Sequence, residues 1–358
     1  MLWATLAFIG SISEGVDPIL STSELVSAII PTLNRPELLQ KAVLSALHQS
    51  HTPIEVIVVI DGEDRATENC LACMDDPRLR VISLAVNVGG SEARNIGVRA
   101  ARGRWIAFLD DDDEWLPSKI ELQLAAAGAS ETAFPVISSR LIVRTPTLDF
   151  IRPVRKFEPS SPVSEQLFCR RVFEDSQYTM QTSTLFMRRE TMLAIPFRSS
   201  LKKHQDWDWL LRASCHPGVS FHAIPEPLTI LRVEDSRPSI GRSLDWKHSL
   251  QWGQEMRRYF TSRAYSFFVA TECISRAVKS RAGPGVYARL VHEFVVRGSP
   301  TPRSLVWLAG LLCIPELWRK HLRALTRRRS KCAAANTINL NKTKVKPFGK
   351  PVNSNITL

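Results

Sequence analysis

Residues 105–115 read W-I-A-F-L-D-D-D-D-E-W, an apolar segment that runs directly into four consecutive aspartates. Ile106, Ala107, Phe108 and Leu109 have the continuous apolar pattern of a strand buried on both faces of a parallel sheet. A run of like charges is ordinarily a solvated face. Here Trp115, Leu116 and Pro117 close the run at once, which predicts that Asp110, Asp111, Asp112 and Asp113 are held in a fixed crevice at the strand end. Packing mutually repelling carboxylates there costs stability unless something positive offsets it, and a hard divalent ion carrying phosphate oxygens does so. Charge concentrated in this way points to a functional site.

Outward from this strand the pattern alternates. Strands are expected at residues 25–30, 54–60, 80–84 and 105–109, and helices at 36–50, 66–74, 91–101 and about 118–127. Pro36 suits a first helical turn. Repeated β-α units predict a mostly parallel sheet covered by helices, in which ligands bind outside the carboxyl ends of the strands. Four segments stand at those ends: Pro31-Thr32-Leu33-Asn34-Arg35, Asp61-Gly62, Asn87-Val88-Gly89-Gly90 and the aspartate run. Residues 131–200 have a weaker pattern, richer in Pro and Ser, expected to mix strands with an acceptor-side loop. Residues 243–329 read as mostly helical, and the chain from 330 as a polar, disordered tail.

The 358 residues allow one large α/β domain with an appendage, and 44% hydrophobic content is ordinary for a globular protein. The net charge of +12 is not spread over the chain: residues 317–358 contain 11 Lys or Arg and no Asp or Glu. The remainder is close to neutral, which argues against a nucleic-acid groove. Seven scattered cysteines argue against a disulfide framework and for a reducing compartment. Cys70 and Cys73 form a lone C-x-x-C inside an expected helix, read as two small apolar residues. Residues 2–9 lack a basic leader and are too short to span a bilayer, so a cytoplasmic body is expected.

Five stretches together resemble the inverting family-2 glycosyltransferases. They are V-S-A-I-I-P-T-L-N-R-P at 26–36, E-V-I-V-V-I-D-G at 55–62, N-V-G-G-S-E-A-R-N-I-G at 87–97, W-I-A-F-L-D-D-D-D-E-W-L-P at 105–117 and H-Q-D-W-D-W-L-L-R at 204–212. The resemblance covers about residues 24–240 and implies the α/β GT-A fold of nucleotide-diphospho-sugar transferases, with a helical C-terminal appendage at 241–329. It leaves 1–23 as an N-terminal extension and 330–358 as a tail. It further implies a UDP- or dTDP-sugar donor, with Thr32 and Asn34 at the rim of the nucleoside pocket and Arg35 in the same segment. Asp61 aligns with the carboxylate that accepts from the base, whose imide N–H an acceptor-only group can recognise. Arg94 and Asn95 lie in the helix that approaches the nucleotide. The pattern Asp-x-Asp-Asp maps onto Asp110, Asp112 and Asp113. Asp112 becomes the ligand of Mg²⁺ or Mn²⁺, with Asp110 on the ribose or supporting the ion, and Asp111 at the variable position, where it either joins the nucleotide-binding set or is simply solvated.

Asp206 aligns with the general base of single displacement, and Asp208 competes for that role. In the family the residue before this aspartate is often acidic. Here it is Gln205, which removes a like-charged neighbour that would raise the acid's pKa. A second departure is Arg232-Val233-Glu234, where relatives carry Arg-x-His. His204 is either an acceptor-site group or structural. Residues 304–314 are apolar but half the length needed to span. Trp318, Arg319, Lys320, Arg323 and Arg327 to Arg329 follow, suiting a helix at the inner face of the plasma membrane and a lipid-linked glycan acceptor; a terminal helix docked on the catalytic domain is the other reading. A catalytically silent nucleotide-sugar-binding or scaffold protein is the alternative function, against which Asp112 and Asp206 both speak. A dinucleotide oxidoreductase would need G-x-G-x-x-G where 31–35 reads P-T-L-N-R.

Overall fold

The structure is a computed structural model and describes residues 24–170, 180–233 and 244–313. The extension at 1–23, the tail at 330–358 and the basic run at 318–329 lie outside the described residues. Four parallel strands form the N-terminal half of the sheet: β1 (Val26–Thr32), β2 (Ile54–Ile60), β3 (Leu79–Ser83) and β4 (Trp105–Phe108). β1, β2 and β4 are buried throughout, as their predominantly apolar composition requires of strands covered on both faces. Each Ile, Val or Leu so withdrawn from water contributes about 1.5–3 kcal/mol.

Helices α1 (Pro36–Leu47), α2 (Arg65–Ala72), α3 (Gly90–Ala100) and α4 (Lys119–Gly128) connect or follow these strands. α1 buries Leu39, Ala42, Val43, Ala46 and Leu47, one face at helical spacing. α3 lies so close to the sheet that a Cβ on Gly97 would sit 2.4 Å from Ile29 Cγ2, so only glycine allows this approach.

The strand order is β3-β2-β1-β4-β8-β6-β9-β5, with β5 (Asp113–Trp115), β6 (Phe134–Arg144), β8 (Phe186–Arg188) and β9 (Val219–Arg232). β7 (Asp149–Arg152) pairs with β6 off this path. From β4 outward the sheet is mixed: β4–β8, β6–β8, β6–β7 and β5–β9 are antiparallel, while β6–β9 is parallel. The parallel pattern expected from the β-α repeat therefore holds in the first half, and hairpin-like pairing takes over where that repeat ends.

α5 (Val163–Phe168), α6 (Arg189–Ala194) and α7 (Gln205–Ala213) occupy the region before β9. After it come α8 (Trp246–Glu255) and α9 (Ser262–Phe268), the π-helical Val269–Ile274, and α10 (Ser275–Lys279). α11 (Pro284–His292), the π-helical Glu293–Arg297 and α12 (Pro302–Cys313) follow. Sequence division at 240 is not a gap in packing. One buried cluster joins Ile29, Phe108 and Trp209 of the sheet-bearing part to Trp252, Phe268, Leu290 and Leu308 of the helical part.

Candidate functional site

The order places β1 between β2 and β4, so the direction of winding reverses between β1 and β4. At such a switch point the loops diverge and leave a crevice at the strand ends. Thr32 ends β1, and Asp110 follows β4 by two residues.

The aspartates occupy distinct environments. Asp110 accepts from Arg94 Nη2 at 2.5 Å and from Gln181 Nε2 at 3.2 Å. Asp111, at the variable position, is buried rather than solvated. It accepts from Thr32 Oγ1 at 2.9 Å and Arg35 Nη1 at 3.0 Å, because the turn points it back under β1. Burial, with the charges of Asp112 and Asp110 acting against Arg35 and Thr32, pushes its carboxyl up to about 6. Asp112 is partly exposed and meets Arg35 Nη1 at 3.4 Å. Asp113 opens β5 opposite Leu231 rather than lying in a loop. Burial and the charges of Asp110 and Asp112 push it well above the ordinary value, although Ser183 Oγ (2.6 Å) and Gln181 Nε2 (3.1 Å) both donate to its Oδ2. Its Oδ1 is buried without a hydrogen-bond partner.

Gln181 and Ser183 were not singled out by sequence. Ser183 Oγ also receives the Asp110 amide at 3.0 Å, and its carbonyl accepts from Trp115 Nε1 at 2.9 Å. The signal was slight: Q-T-S-T at 181–184, four hydrogen-bonding residues directly before an apolar strand. Asp64 was missed as well. It caps α2 through Thr67 N (3.0 Å) and accepts from Asn34 N at 2.6 Å, so it fixes the loop after β1. Asn34 sits exposed on that loop at φ 56, a left-handed conformation that asparagine tolerates.

Asp61 uses one oxygen for Val88 N (2.7 Å) and the other for Gly89 N (3.0 Å), tying the end of β2 to the entry of α3. Each oxygen keeps a second lone pair for a ligand. Gly89 adopts φ 88, which explains a glycine there. Asn95 does not join the group. Its amide is taken up by Phe197, whose N donates to Oδ1 at 3.0 Å and whose carbonyl accepts from Nδ2 at 2.9 Å. Pointing away from the crevice, it fastens α3 to the segment leading to α7.

α7 closes the crevice. Arg94 Nη1 donates to Gln205 Oε1 at 3.0 Å while Nη2 holds Asp110, so one guanidinium spans from the aspartate run to the first residue of α7. Asp206 is half-buried, and its Oδ1 accepts from Trp207 N at 2.8 Å. Burial, with a further push from Asp110, raises it to about 6 against the opposing pull of Trp207 N and Arg94. The elevation that Gln205 was expected to forfeit is thus supplied by desolvation and a different carboxylate.

Asp208 is unsuited to be a base. It is fully buried and holds Arg198 (2.5 Å), Arg212 (2.8 Å) and Trp252 Nε1 (3.1 Å), locking α7 to α8. His204 is buried, stacks on Trp207 at 4.9 Å, meets Ser249 Oγ at 3.0 Å and is held well below its usual pKa by burial, a structural arrangement. Arg232 is bound to Glu114 through Nε at 2.8 Å. Cys70 and Cys73 are free thiols near the end of α2.

The donor set around Asp110 and Asp112 is carboxylate oxygen throughout, suited to Mg²⁺ or Mn²⁺ and not to soft metals. Among the described residues no group of three or more His, Cys, Asp and Glu converges on one point. Asp113 Oδ1, buried without a hydrogen-bond partner, is an orphaned polar atom beside these carboxylates that a bound cation or its water would satisfy.

A family model described as Glycosyl transferase family 2 matches residues 27–190. The amylovoran biosynthesis glycosyltransferase AmsB of Erwinia amylovora is 26% identical over 245 residues, covering 66% of this chain and 79% of that protein. The putative teichuronic acid biosynthesis glycosyltransferase TuaG of Bacillus subtilis (strain 168) is 33% identical over 184 residues, covering 50% of this chain and 73% of that protein. Among solved structures, S. aureus TarS 1-349 in complex with UDP-GlcNAc aligns with a TM-score of 0.48 at 16% identity, over 87% of this chain and 92% of that one. A third of the residues identical across nearly three quarters of TuaG, and a family pattern running from β1 to the start of α6, establish that the chain belongs to glycosyl transferase family 2 and is a glycosyltransferase of α/β, GT-A fold.

Proposed function

We propose that the chain moves a sugar from a UDP- or dTDP-sugar to a hydroxyl of a glycan or lipid-linked glycan, with inversion, in the assembly of a cell-envelope polysaccharide. The names of its relatives, amylovoran and teichuronic acid biosynthesis glycosyltransferases, support the polysaccharide setting. The observation that carries the reading is the single guanidinium of Arg94, bonded both to Asp110 and to Gln205 beside Asp206. It sets a donor-side acid and an acceptor-side acid across one crevice.

Asp61 faces the base, and Thr32, Asn34 and Arg35 line the nucleoside side. Arg94 and Arg35 stand where a diphosphate would meet the aspartates. Asp112, with Asp110, would hold Mg²⁺ or Mn²⁺, which when bound offsets the charge growing on the departing diphosphate. Asp206 takes the proton of the acceptor hydroxyl as its oxygen bonds to the anomeric carbon and the bond from that carbon to the diphosphate oxygen breaks. With its carboxyl raised to about 6, Asp206 is ionised at neutral pH and still basic enough to accept that proton. Among the described residues no helix is long and apolar enough to cross a membrane. An enzyme meeting a soluble donor and a lipid-linked acceptor would work on the cytoplasmic side, against the inner face of the plasma membrane.

A panel of nucleotide sugars measured by thermal shift with and without Mn²⁺ tests the donor assignment. One UDP- or dTDP-sugar should raise Tm in a metal-dependent way. A panel in which no donor stabilises the protein, with or without metal, would defeat it.

A further inference from the structure

Half of the large aliphatic side chains that are exposed among the described residues fall within residues 291–312: Val291, Val295, Val296, Leu305, Val306 and Leu312. α12 turns Ser304, Leu308 and Leu311 inward and presents Leu305, Val306 and Leu312 to the outside, so it is apolar on both sides. A helix apolar all round belongs against a second apolar phase. The exposed charges nearby have one sign. Arg289, Arg297 and Arg303 are exposed, whereas the sole carboxylate between 284 and 312, Glu293, is buried, accepts from the Tyr265 hydroxyl at 2.5 Å and Gln254 Nε2 at 3.2 Å, and pairs with Arg297 Nε at 3.7 Å, which leaves Arg289 and Arg303 as the free cations of this face among the described residues. The chain then continues for 45 residues after Cys313, of which 317–358 carry 11 Lys or Arg and no Asp or Glu.

We infer that this outer face of α11, the π-turn after it and α12 docks on an anionic lipid bilayer surface. The exposed Val and Leu side chains enter the headgroup boundary, and Arg289 and Arg303 meet the lipid phosphates. Aliphatic side chains flanked by cations, with the one carboxylate of residues 284–312 turned inward, match the requirements of an interfacial helix at a negative surface. A soluble acidic protein partner would account for the arginines but not for the exposed aliphatics on both α12 and the preceding turn. The inference deepens the transferase reading by naming where a lipid-linked acceptor would be met, and its biological meaning rests on that reading.

The test is sedimentation of the full chain with vesicles of phosphatidylcholine alone or containing phosphatidylglycerol, beside the variants Val295→Glu/Val296→Glu, Leu305→Glu/Val306→Glu and Arg289→Gln/Arg303→Gln. Wild type should bind only the anionic vesicles, less at high salt. Each variant should lose on the order of tenfold in partitioning while keeping its Tm and its donor-dependent thermal shift. Unchanged partitioning of both acidic double variants would overturn the inference. So would a dimer in light scattering that these variants split without any vesicle binding, which would make the face an interface between copies. A large fall in Tm of the isolated variants would also overturn it, because the face would then be covered by the chain itself. Vesicle binding without any donor-dependent shift would leave the surface standing and remove the transferase reading instead.

Discussion

The two ends of the sheet treat buried acid in opposite ways. Near the amino end of β2, Glu55 is buried and its Oε1 accepts from Ser27 Oγ (2.6 Å), Arg102 N (2.6 Å) and Gly103 N (3.3 Å), while Oε2 accepts from Arg80 (2.8 Å). Burial alone would raise its pKa, but these donors hold it below the ordinary value of 4.5. At the carboxyl end, Asp111, Asp113 and Asp206 are all raised, and Asp113 Oδ1 has no hydrogen-bond partner. The first arrangement is a finished structural contact. The second is a set of carboxyl groups whose ionised forms are disfavoured by burial and by one another, as expected of a site awaiting a cationic ligand.

Substitutions at the two ends should therefore fail in different ways. The largest effect should come from Asp206→Asn, which should cut transfer by about 10²–10⁴ while donor binding, read by thermal shift, persists; unaltered turnover would remove the base assignment. Glu55→Ala should instead lower stability by on the order of 3 kcal/mol, measured by denaturant unfolding, without changing donor affinity in the folded protein. A selective loss of donor binding there would erase the distinction between the ends. Ser183→Ala should cost about 1–3 kcal/mol, since it strips a donor from the buried Asp113. It should also weaken Mn²⁺-dependent donor binding, because Ser183 fixes both Asp110 N and Asp113.

The smallest and sharpest test is pH dependence. Asp111 is raised in the fold from 3.8 to about 6, so its favourable contribution is complete below pH 3.8 and lost as pH rises through about 6. Asp111→Asn should therefore gain stability over wild type at pH 8 and show no such gain below pH 4. Glu55 has the opposite sign: its contribution is present above 4.5 and lost as pH falls through its lowered value. A Glu55→Gln variant should accordingly differ from wild type at pH 7 and converge with it in strong acid. The same direction of pH effect in both variants would mean that the two ends are not distinct.

The parallel half of the sheet was legible because β-branched runs and amphipathic helices alternate at short range, and β2 carries the bounds read from its sequence. The antiparallel half was not, since β8 and β5 are three residues each and owe their existence to partners far along the chain. At the site, Asp61 and Asp110 stood out by their position at strand ends, and Arg94 through the family resemblance alone. For Asp111 the choice between solvated and held stayed open, because nothing local reveals that Thr32 and Arg35 fold over it. Asn95 looked like a ligand-facing residue for the complementary reason: its partner, Phe197, is 102 residues away. Gln181 and Ser183 were invisible because a hydrogen-bonding residue announces its type but not its partner.

The central claim is that the carboxyl end of β4 grips a cation that carries a nucleotide diphosphate. Anomalous scattering from a crystal grown with Mn²⁺ and UDP tests it most directly. The account predicts a manganese peak about 2.0–2.2 Å from a carboxylate oxygen of Asp112 or Asp110, with diphosphate oxygens completing its coordination. Nucleotide bound elsewhere, or bound here with no metal peak at either aspartate, would contradict it.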